Sequence, residues 1–282
     1  MTDTQTTPTT VTDIGVAMFS VANKDEAIAF YTTKLGYEKP HHTTTHEEPL
    51  DERLGYQPIV SWPGQRLFGY EALMRSADPD LSTPGKLLDA AERLGRVQDL
   101  GARVRDAVAE RVLLAPTGSC LCVNLHALDI TAEHLYAAES PLSRVADRVV
   151  LEVTERADLY RVDHLQARIG RLRELGYRIA VDDLGASHAG LSSFRQLGPD
   201  LVKLDLSLVR DIDSSASKTS LVKSMIAICS QDLGMQVVCV GVETEAERDA
   251  LHAVGASLMQ GYLFGMPAHD FRLEDTLASA AS

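Results

Sequence analysis

The stretch that decides the fold is QPIVSWPGQRLFGYEALM, residues Gln57–Met74. It contains two apolar runs typical of strands, Gln57–Ser61 and Leu67–Met74, separated only by Trp62–Arg66. A crossover between parallel strands takes about a dozen residues or more. Because the link is shorter than that, the two strands are predicted to be antiparallel.

Short apolar runs then alternate with amphipathic stretches to the end of the chain. The further strand candidates are Cys120–His126, Val149–Glu155, Arg178–Asp183, Leu201–Asp205, Gln236–Val242 and Leu258–Phe264. Helix-period segments lie between most of them, at Arg96–Arg111, Leu165–Leu175 and Ser217–Leu233. This alternation predicts an α/β fold, a (β/α)8 TIM-like barrel with an antiparallel first strand. An open doubly wound sheet is the alternative, but no Gly-x-Gly-x-x-Gly turn follows an early strand.

A different pattern precedes the barrel. Residues 1–12 are Thr-rich and poor in apolar side chains, which predicts a disordered tail. Residues 13–51 form a short β-α extension and a polar linker in this interpretation. Its strand is Ile14–Val21, and its helix begins near Asn23, which with Glu26 makes a capping signature, and ends at Gly36.

Charge and composition exclude some classes of function. The net charge of −13 argues against broad nucleic-acid binding, because such a surface repels a phosphate backbone. The sequence has no apolar stretch near the roughly 18 residues needed to span a bilayer. It also lacks the basic and apolar start of an export signal. The few, irregularly spaced cysteines are typical of reduced thiols, so we expect a cytoplasmic protein without a membrane partner.

Polar side chains interrupt six of the predicted strands. They are Glu71, Asn124, Glu152, Glu155, Asp182, Asp183, Lys203 and Gln260. Burying such groups without partners would be costly. In a barrel of this class they gather at the C-terminal mouth, where catalytic groups lie. The alternative is a set of unrelated buried ion pairs and strand-end turns, but contributions from so many strands favour one shared site.

The donor types in this set predict metal chemistry. Glu71, Asn124, Glu152, Asp182 and Asp183 all offer hard oxygen ligands, which suit Mg²⁺ or Mn²⁺ rather than zinc. Adjacent aspartates at a strand end can serve two ions about 3.5–4 Å apart. Lys203 could then hold a water or neutralise charge developing on a phosphate.

These same residues carry a family pattern. The segments are GYEALMR at Gly69–Arg75, LEVTE at Leu151–Glu155, DDLG at Asp182–Gly185, GVET at Gly241–Thr244 and QGYLF at Gln260–Phe264. In this order they resemble the EAL family of cyclic di-GMP phosphodiesterases, with the EAL domain placed at residues 52–275. The resemblance implies a barrel with an antiparallel first strand and hydrolysis of cyclic di-GMP to pGpG with Mg²⁺ or Mn²⁺.

Residue roles follow from the resemblance alone. It implies that Glu71, Asn124, Glu152 and Asp182 hold a first metal ion and Asp183 a second. Lys203, Glu71 and Asp183 would be catalytic. The dinucleotide contacts would come from Gln57, Leu73, Arg75 and Gln260, and Glu155 and Glu243 would support the loop after Asp183. It also leaves room for a homodimer and for an unidentified protein partner.

Two departures from the family pattern change the expectation. Val240 stands where the family usually has a Glu that serves the second metal and the attacking water. The loop Gly185–Gly190 lacks the second Gly, and the Tyr-Ser-Ser after it, that the family usually has there. Valine can neither ligate a cation nor accept a proton. We therefore expect cyclic di-GMP binding with impaired hydrolysis. The alternatives are a fully active phosphodiesterase and a scaffold that does not bind the nucleotide.

The N-terminal extension carries a second resemblance. Residues 13–38 are similar to the first strand and helix of a glyoxalase/bleomycin-resistance (vicinal oxygen chelate) module. That module needs further strands for its metal cup, and the strand Ile14–Val21 offers no His ligand. The resemblance therefore implies a partial module, a docking element or a relic, without a working glyoxalase site.

Overall fold

The fold is described from a computed structural model, in residues 54–75, 83–154, 157, 159–186 and 190–271. The predicted tail at 1–12, the extension and linker at 13–51 and the last residues of the predicted EAL domain, 272–275, lie outside this range. The partial vicinal-oxygen-chelate-like module therefore stays a prediction.

The described strands form one closed barrel with neighbours in sequence order. The strands are β1 Leu54–Ser61, β2 Arg66–Met74, β3 Cys120–Asn124, β4 Val149–Thr154, β5 Arg178–Leu184, β6 Leu201–Leu204, β7 Gln236–Val240 and β8 Leu258–Gln260. Strand β1 is antiparallel to both β2 and β8, and every other neighbouring pair is parallel. The predicted (β/α)8 TIM-like barrel with an inverted first strand is confirmed, and the open sheet is excluded.

Helices pack outside the barrel. They are α1 Pro84–Arg93, α2 Val97–Val112, α3 Leu165–Glu174, α4 Gly190–Leu197, α5 Leu206–Val209, α6 Ala216–Ile226 and α7 Glu245–Ala253. Short 3₁₀ segments precede or follow several strands, at Ala127–Thr131, Glu133–Tyr136, Ser143–Arg148, Leu159–Arg161 and Ile212–Ser214. The three predicted helices correspond to α2, α3 and α6, although α6 passes into a π-helical turn at Ala227–Asp232.

Side-chain caps fix where two further helices begin. In α1, the Thr83 hydroxyl accepts from the backbone N–H of Lys86, and Pro84 occupies the first turn, where no N–H is required. In α7, Thr244 and Glu247 form a reciprocal capping box. These capping hydrogen bonds therefore define the first residue of two helices whose apolar pattern extends over few turns.

Strands β3, β7 and β8 each end at least two residues earlier than their apolar runs predicted. Strand β3 ends at Asn124 because His126 already caps the 3₁₀ segment that follows. Strands β7 and β8 end together, because the N–H groups of Gly241 and Val242 both donate to the Gln260 carbonyl and close the ladder. Apolar residues beyond these points pack outside the strands, as Val242 and Phe264 do.

Apolar side chains fill both sides of the barrel wall. Two large clusters lie between the strands and the helices, whereas a smaller one fills the barrel interior. The interior cluster consists of Ile59, Cys120, Cys122, Val150, Ala180, Leu201, Val238 and Leu258. All four cysteines are buried and free of disulfides, as predicted. Within the described ranges, no helix combines the length and apolarity that a membrane crossing demands.

Candidate functional site

Strand alternation turns one layer of side chains toward the barrel mouth. Because side chains on one face of a strand recur every second residue, the position two residues nearer the mouth from an interior residue also points inward. On β2 that interior residue is Gly69, where an added Cβ would meet the interior Cys120. On β1 to β8 these positions are Gln57, Glu71, Asn124, Glu152, Asp182, Lys203, Val240 and Gln260. We call this set the mouth ring. All of its members except Val240 are polar.

Lys203 lies at the centre of the ring's contacts. Its Nζ is 2.7 Å from Oε2 of Glu71, 3.1 Å from Oε2 of Glu152 and 3.7 Å from Oδ1 of Asp182. The Lys203 and Glu152 side chains are 1% and 0% exposed. Strands β2, β4, β5 and β6 thus bring the predicted carboxylates and the predicted lysine together.

The electrostatics of this cluster keep the lysine charged. Burial by itself would lower the pKa of Lys203, but Asp182, Glu152 and Glu71 raise it well above its usual value. Burial also acts to raise the pKa of Glu71, yet the Lys203 charge and hydrogen bonds from Lys203, Gln260 and Asn124 hold it below its usual range. An ionised Glu71 therefore faces an ammonium group in a site shielded from water.

The pKa values of the other two carboxyls, Glu152 and Asp182, shift upward instead. Burial raises the pKa of Glu152 well above its usual value against the opposing charge of Lys203, and Glu71 and Asp182 add to the rise. Burial likewise raises the pKa of Asp182 to about 6, with Lys203 opposing it and Glu71 and Asp183 reinforcing it. The cluster therefore holds more carboxyl groups than one lysine can keep ionised.

Asn124 and Asp183 complete the predicted metal set. The Asn124 amide donates to Oε1 of Glu71 at 3.3 Å, which leaves its carbonyl oxygen available as a ligand. Asp183 has a left-handed backbone, with φ 57°, and its N–H donates to Oδ1 of Asp182 at 2.8 Å. The β5–β6 register shifts between Val181 and Leu184, so Asp183 stands where the strand alternation breaks at the rim.

The residues present fit a divalent cation. Oxygen atoms of Glu71, Glu152 and Asp182 lie within 4.8 Å of one another. Oε1 of Glu152 is buried and has no hydrogen-bond partner among the described residues. A buried acceptor of this kind is costly unless a cation or a donor reaches it. The hard oxygen set suits Mg²⁺ or Mn²⁺ better than softer ions.

The predicted nucleotide-binding residues fall into two groups. Gln57 and Gln260 are buried and hydrogen-bonded to each other, as Nε2 of Gln260 lies 3.2 Å from Oε1 of Gln57. Leu73 is half-buried near the end of β2, and Arg75 is exposed just beyond it. The Arg75 guanidinium contacts the Met74 carbonyl at 3.2 Å and faces solvent at the mouth.

Val240 and Cys239 point to opposite sides of the barrel wall. Val240 packs against the interior cluster, whereas Cys239 belongs to the outer cluster between strands and helices. Val240 is paired with Gln260, whose amide contacts Glu71. Alternation along β7 therefore keeps the Cys239 thiol away from the mouth ring.

The two loop-support residues remain predictions. Glu155 lies outside the described residues, as do residues 187–189 of the loop after Asp183. Glu243 pairs with Arg210 through both carboxylate oxygens. Sequence patterns had not indicated Arg210, because it lies in a loop between α5 and the following 3₁₀ segment and belongs to no quoted motif.

The barrel segment matches a known protein family. A family model described as EAL domain matches residues 51–267. The bifunctional diguanylate cyclase/cyclic di-GMP phosphodiesterase MucR of Pseudomonas aeruginosa is 30% identical over 81% of this chain and 34% of its own length. The cyclic di-GMP phosphodiesterase NbdA of the same organism is 32% identical over 87% of this chain and 32% of its own length.

A solved structure is similar to this chain in both sequence and fold. The Klebsiella pneumoniae BlrP1 manganese/cyclic di-GMP complex at pH 6 is 31% identical, with a TM-score of 0.68, over 82% of this chain and 58% of that one. This chain spans about a third of the length of the curated relatives named above. The matched residues 51–267 make up most of the chain and carry both the closed barrel and its mouth ring, and the protein therefore belongs to the EAL domain family.

Proposed function

We propose that this protein binds cyclic di-GMP over a divalent-metal site at the barrel mouth and hydrolyses it to pGpG slowly or not at all. The observation that carries the proposal is the convergence of Glu71, Glu152 and Asp182 on Lys203. Relatives named as cyclic di-GMP phosphodiesterases and a related manganese/cyclic di-GMP complex support the ligand and the ion class.

Mg²⁺ or Mn²⁺ is the proposed ion, held by Glu71, Asn124, Glu152 and Asp182, with Asp183 directed to a second ion. A bound divalent ion supplies Lewis-acid chemistry, because it polarises phosphate oxygens and makes water a better nucleophile. Lys203 holds the water or neutralises negative charge as the phosphodiester opens. Arg75 and Leu73, at the end of β2, are proposed to contact the dinucleotide.

Impairment of hydrolysis rests on Val240. Val240 points inward beside Gln260 and is the β7 member of the mouth ring. Without an acid there, the ring loses a group that can orient or deprotonate the attacking water and loses negative charge that would hold a second cation. Loss of a positioned acid–base group typically costs on the order of 10²–10⁴ in rate.

Calorimetry with cyclic di-GMP, with and without Mn²⁺, followed by chromatographic analysis for pGpG, tests the proposal. Binding with little or no product supports it. Rapid formation of pGpG would make the protein a fully active phosphodiesterase instead, and neither binding nor product would make it a scaffold. Arg75→Met is the matched variant, which should weaken nucleotide binding and leave Mn²⁺ binding intact.

A homodimer and an additional protein partner remain predictions. Light scattering of the purified chain, with and without cyclic di-GMP, measures the first directly. A monomer under both conditions would remove the dimer from the proposal without changing the expected nucleotide binding.

A further inference from the structure

A chain of buried amide hydrogen bonds links Glu71 to a turn beyond β8. Nε2 of Gln260 lies 2.7 Å from Oε2 of Glu71 and 3.2 Å from Oε1 of Gln57. Nε2 of Gln57 in turn donates to the Gly265 carbonyl at 3.1 Å. Gln260 is 1% exposed and Gln57 8% exposed, so both amide side chains are shielded from water.

The direction of this chain is fixed by its two ends. An ionised carboxylate and a backbone carbonyl can only accept hydrogen bonds. Gln260 must therefore turn its NH₂ group toward Glu71, and Gln57 must turn its NH₂ group toward Gly265. Rotating either amide by half a turn would place two acceptors against each other, which is unfavourable in a buried site.

The chain limits how the Glu71 carboxylate can rotate. Its Oε2 accepts from both Lys203 and Gln260 at 2.7 Å, while its Oε1 accepts from Asn124 at 3.3 Å. Lys203 supplies charge, but an ammonium group imposes little directionality, whereas the planar amide of Gln260 does. Gln57 fixes the plane of that amide from the other side.

We propose that Gln57 and Gln260 are positioning residues, which hold the Glu71 carboxylate in the orientation needed for a divalent ion and anchor it to Gly265. This rests on the metal site of the proposed function. Partners that orient a metal ligand typically contribute 10- to 100-fold in metal affinity. The role is carried by the NH₂ group of Gln260, both hydrogens of which are engaged within the protein, whereas its buried Oε1 has no hydrogen-bond partner among the described residues.

The test compares Gln57→Met, Gln260→Met and the control Gln236→Met. Methionine has a similar length and no amide, and Gln236 is exposed at the far end of β7. Mn²⁺ affinity is measured by calorimetry, and the paramagnetic resonance spectrum of bound Mn²⁺ reports its ligand geometry. Cyclic di-GMP affinity without metal and the thermal midpoint are measured on the same samples.

We expect Gln260→Met to weaken Mn²⁺ binding about 10- to 100-fold. Gln57→Met should give a smaller loss in the same direction with a changed resonance spectrum, and Gln236→Met should match wild type. A purely structural role would lower the thermal midpoint without altering the spectrum of the bound ion, and would overturn the proposal.

The other outcomes separate this inference from the proposed function. Normal Mn²⁺ binding by Gln57→Met and Gln260→Met, in a wild type that binds Mn²⁺, overturns the positioning role alone. Reduced metal-free nucleotide affinity with unchanged Mn²⁺ affinity assigns the glutamines to the ligand and also overturns it. A wild type that binds no Mn²⁺ overturns both the metal site and the positioning role.

Discussion

The ammonium group of Lys203 on β6 lies 2.7 Å from Oε2 of Glu71 on β2, on the opposite side of the closed barrel. Both side chains are buried, and residues on two more strands, Glu152 and Asp182, face the same nitrogen. Lys203 is therefore the internal counter-charge of the mouth ring. Removing it should expose how strongly the carboxylates depend on a cation.

Lys203→Met should lower the free energy of unfolding by about 3–5 kcal/mol at neutral pH, because it leaves buried carboxylates without their partner. Urea unfolding measures the loss, with the exposed Lys223→Met as control, for which the change should stay within about 0.5 kcal/mol. Mn²⁺ should raise the thermal midpoint of Lys203→Met more than that of wild type. A loss below about 1 kcal/mol would contradict the counter-charge role.

Val240→Glu should increase the rate of pGpG formation by on the order of 10²–10⁴, because it returns an acid to the inward position next to Gln260. Chromatography of the product with Mn²⁺ present measures the rate. Val240→Gln is the control, since it matches the size of glutamate but carries no charge and accepts no proton. Equal rates in wild type and Val240→Glu would show that Val240 does not limit turnover.

Gly261→Ala should destabilise the barrel by at least about 2 kcal/mol. A Cβ at Gly261 would lie 2.0 Å from the Val242 carbonyl oxygen and 2.4 Å from its nitrogen, so backbone would have to move. Gly170→Ala is the opposite control, because nothing lies within 4 Å of its added Cβ in α3. It should stabilise the protein by about 0.5–1 kcal/mol. Thermal or urea unfolding of both variants checks the contrast.

Glu247→Gln should lower stability by about 1.5–3 kcal/mol at neutral pH. Burial acts to raise the pKa of Glu247, but backbone N–H groups of Glu243, Asp211 and Thr244 hold it below its usual value. A depressed folded-state pKa stabilises the protein above the unfolded value, near 4.5, and the contribution is lost as pH falls through the folded value.

The difference between wild type and Glu247→Gln should therefore be constant near neutral pH and shrink below about pH 4.5. Urea unfolding across that range measures it. A difference that grows on acidification would have the wrong sign for a carboxylate stabilised in its ionised form.

The architecture followed from local patterns. The five-residue link at Trp62–Arg66 required an antiparallel pair, and short apolar runs placed each strand to within a few residues. Four helices, α1, α4, α5 and α7, were not predicted, and they have between four and ten residues. Capping by Thr83 and Thr244 was the signal that could have located two of them.

The sequence by itself determined which residues can reach the mouth, because alternation along a strand fixes the face of every second side chain. It also placed Val240, the apolar member of the ring, and the oxygen donors that suit a hard cation. Only the tertiary structure decided which of these side chains contact one another. The Gln57–Gln260 bond joins residues 203 positions apart and depends on how β1 closes the barrel against β8. The stagger of neighbouring strands, which no local pattern encodes, sets those distances.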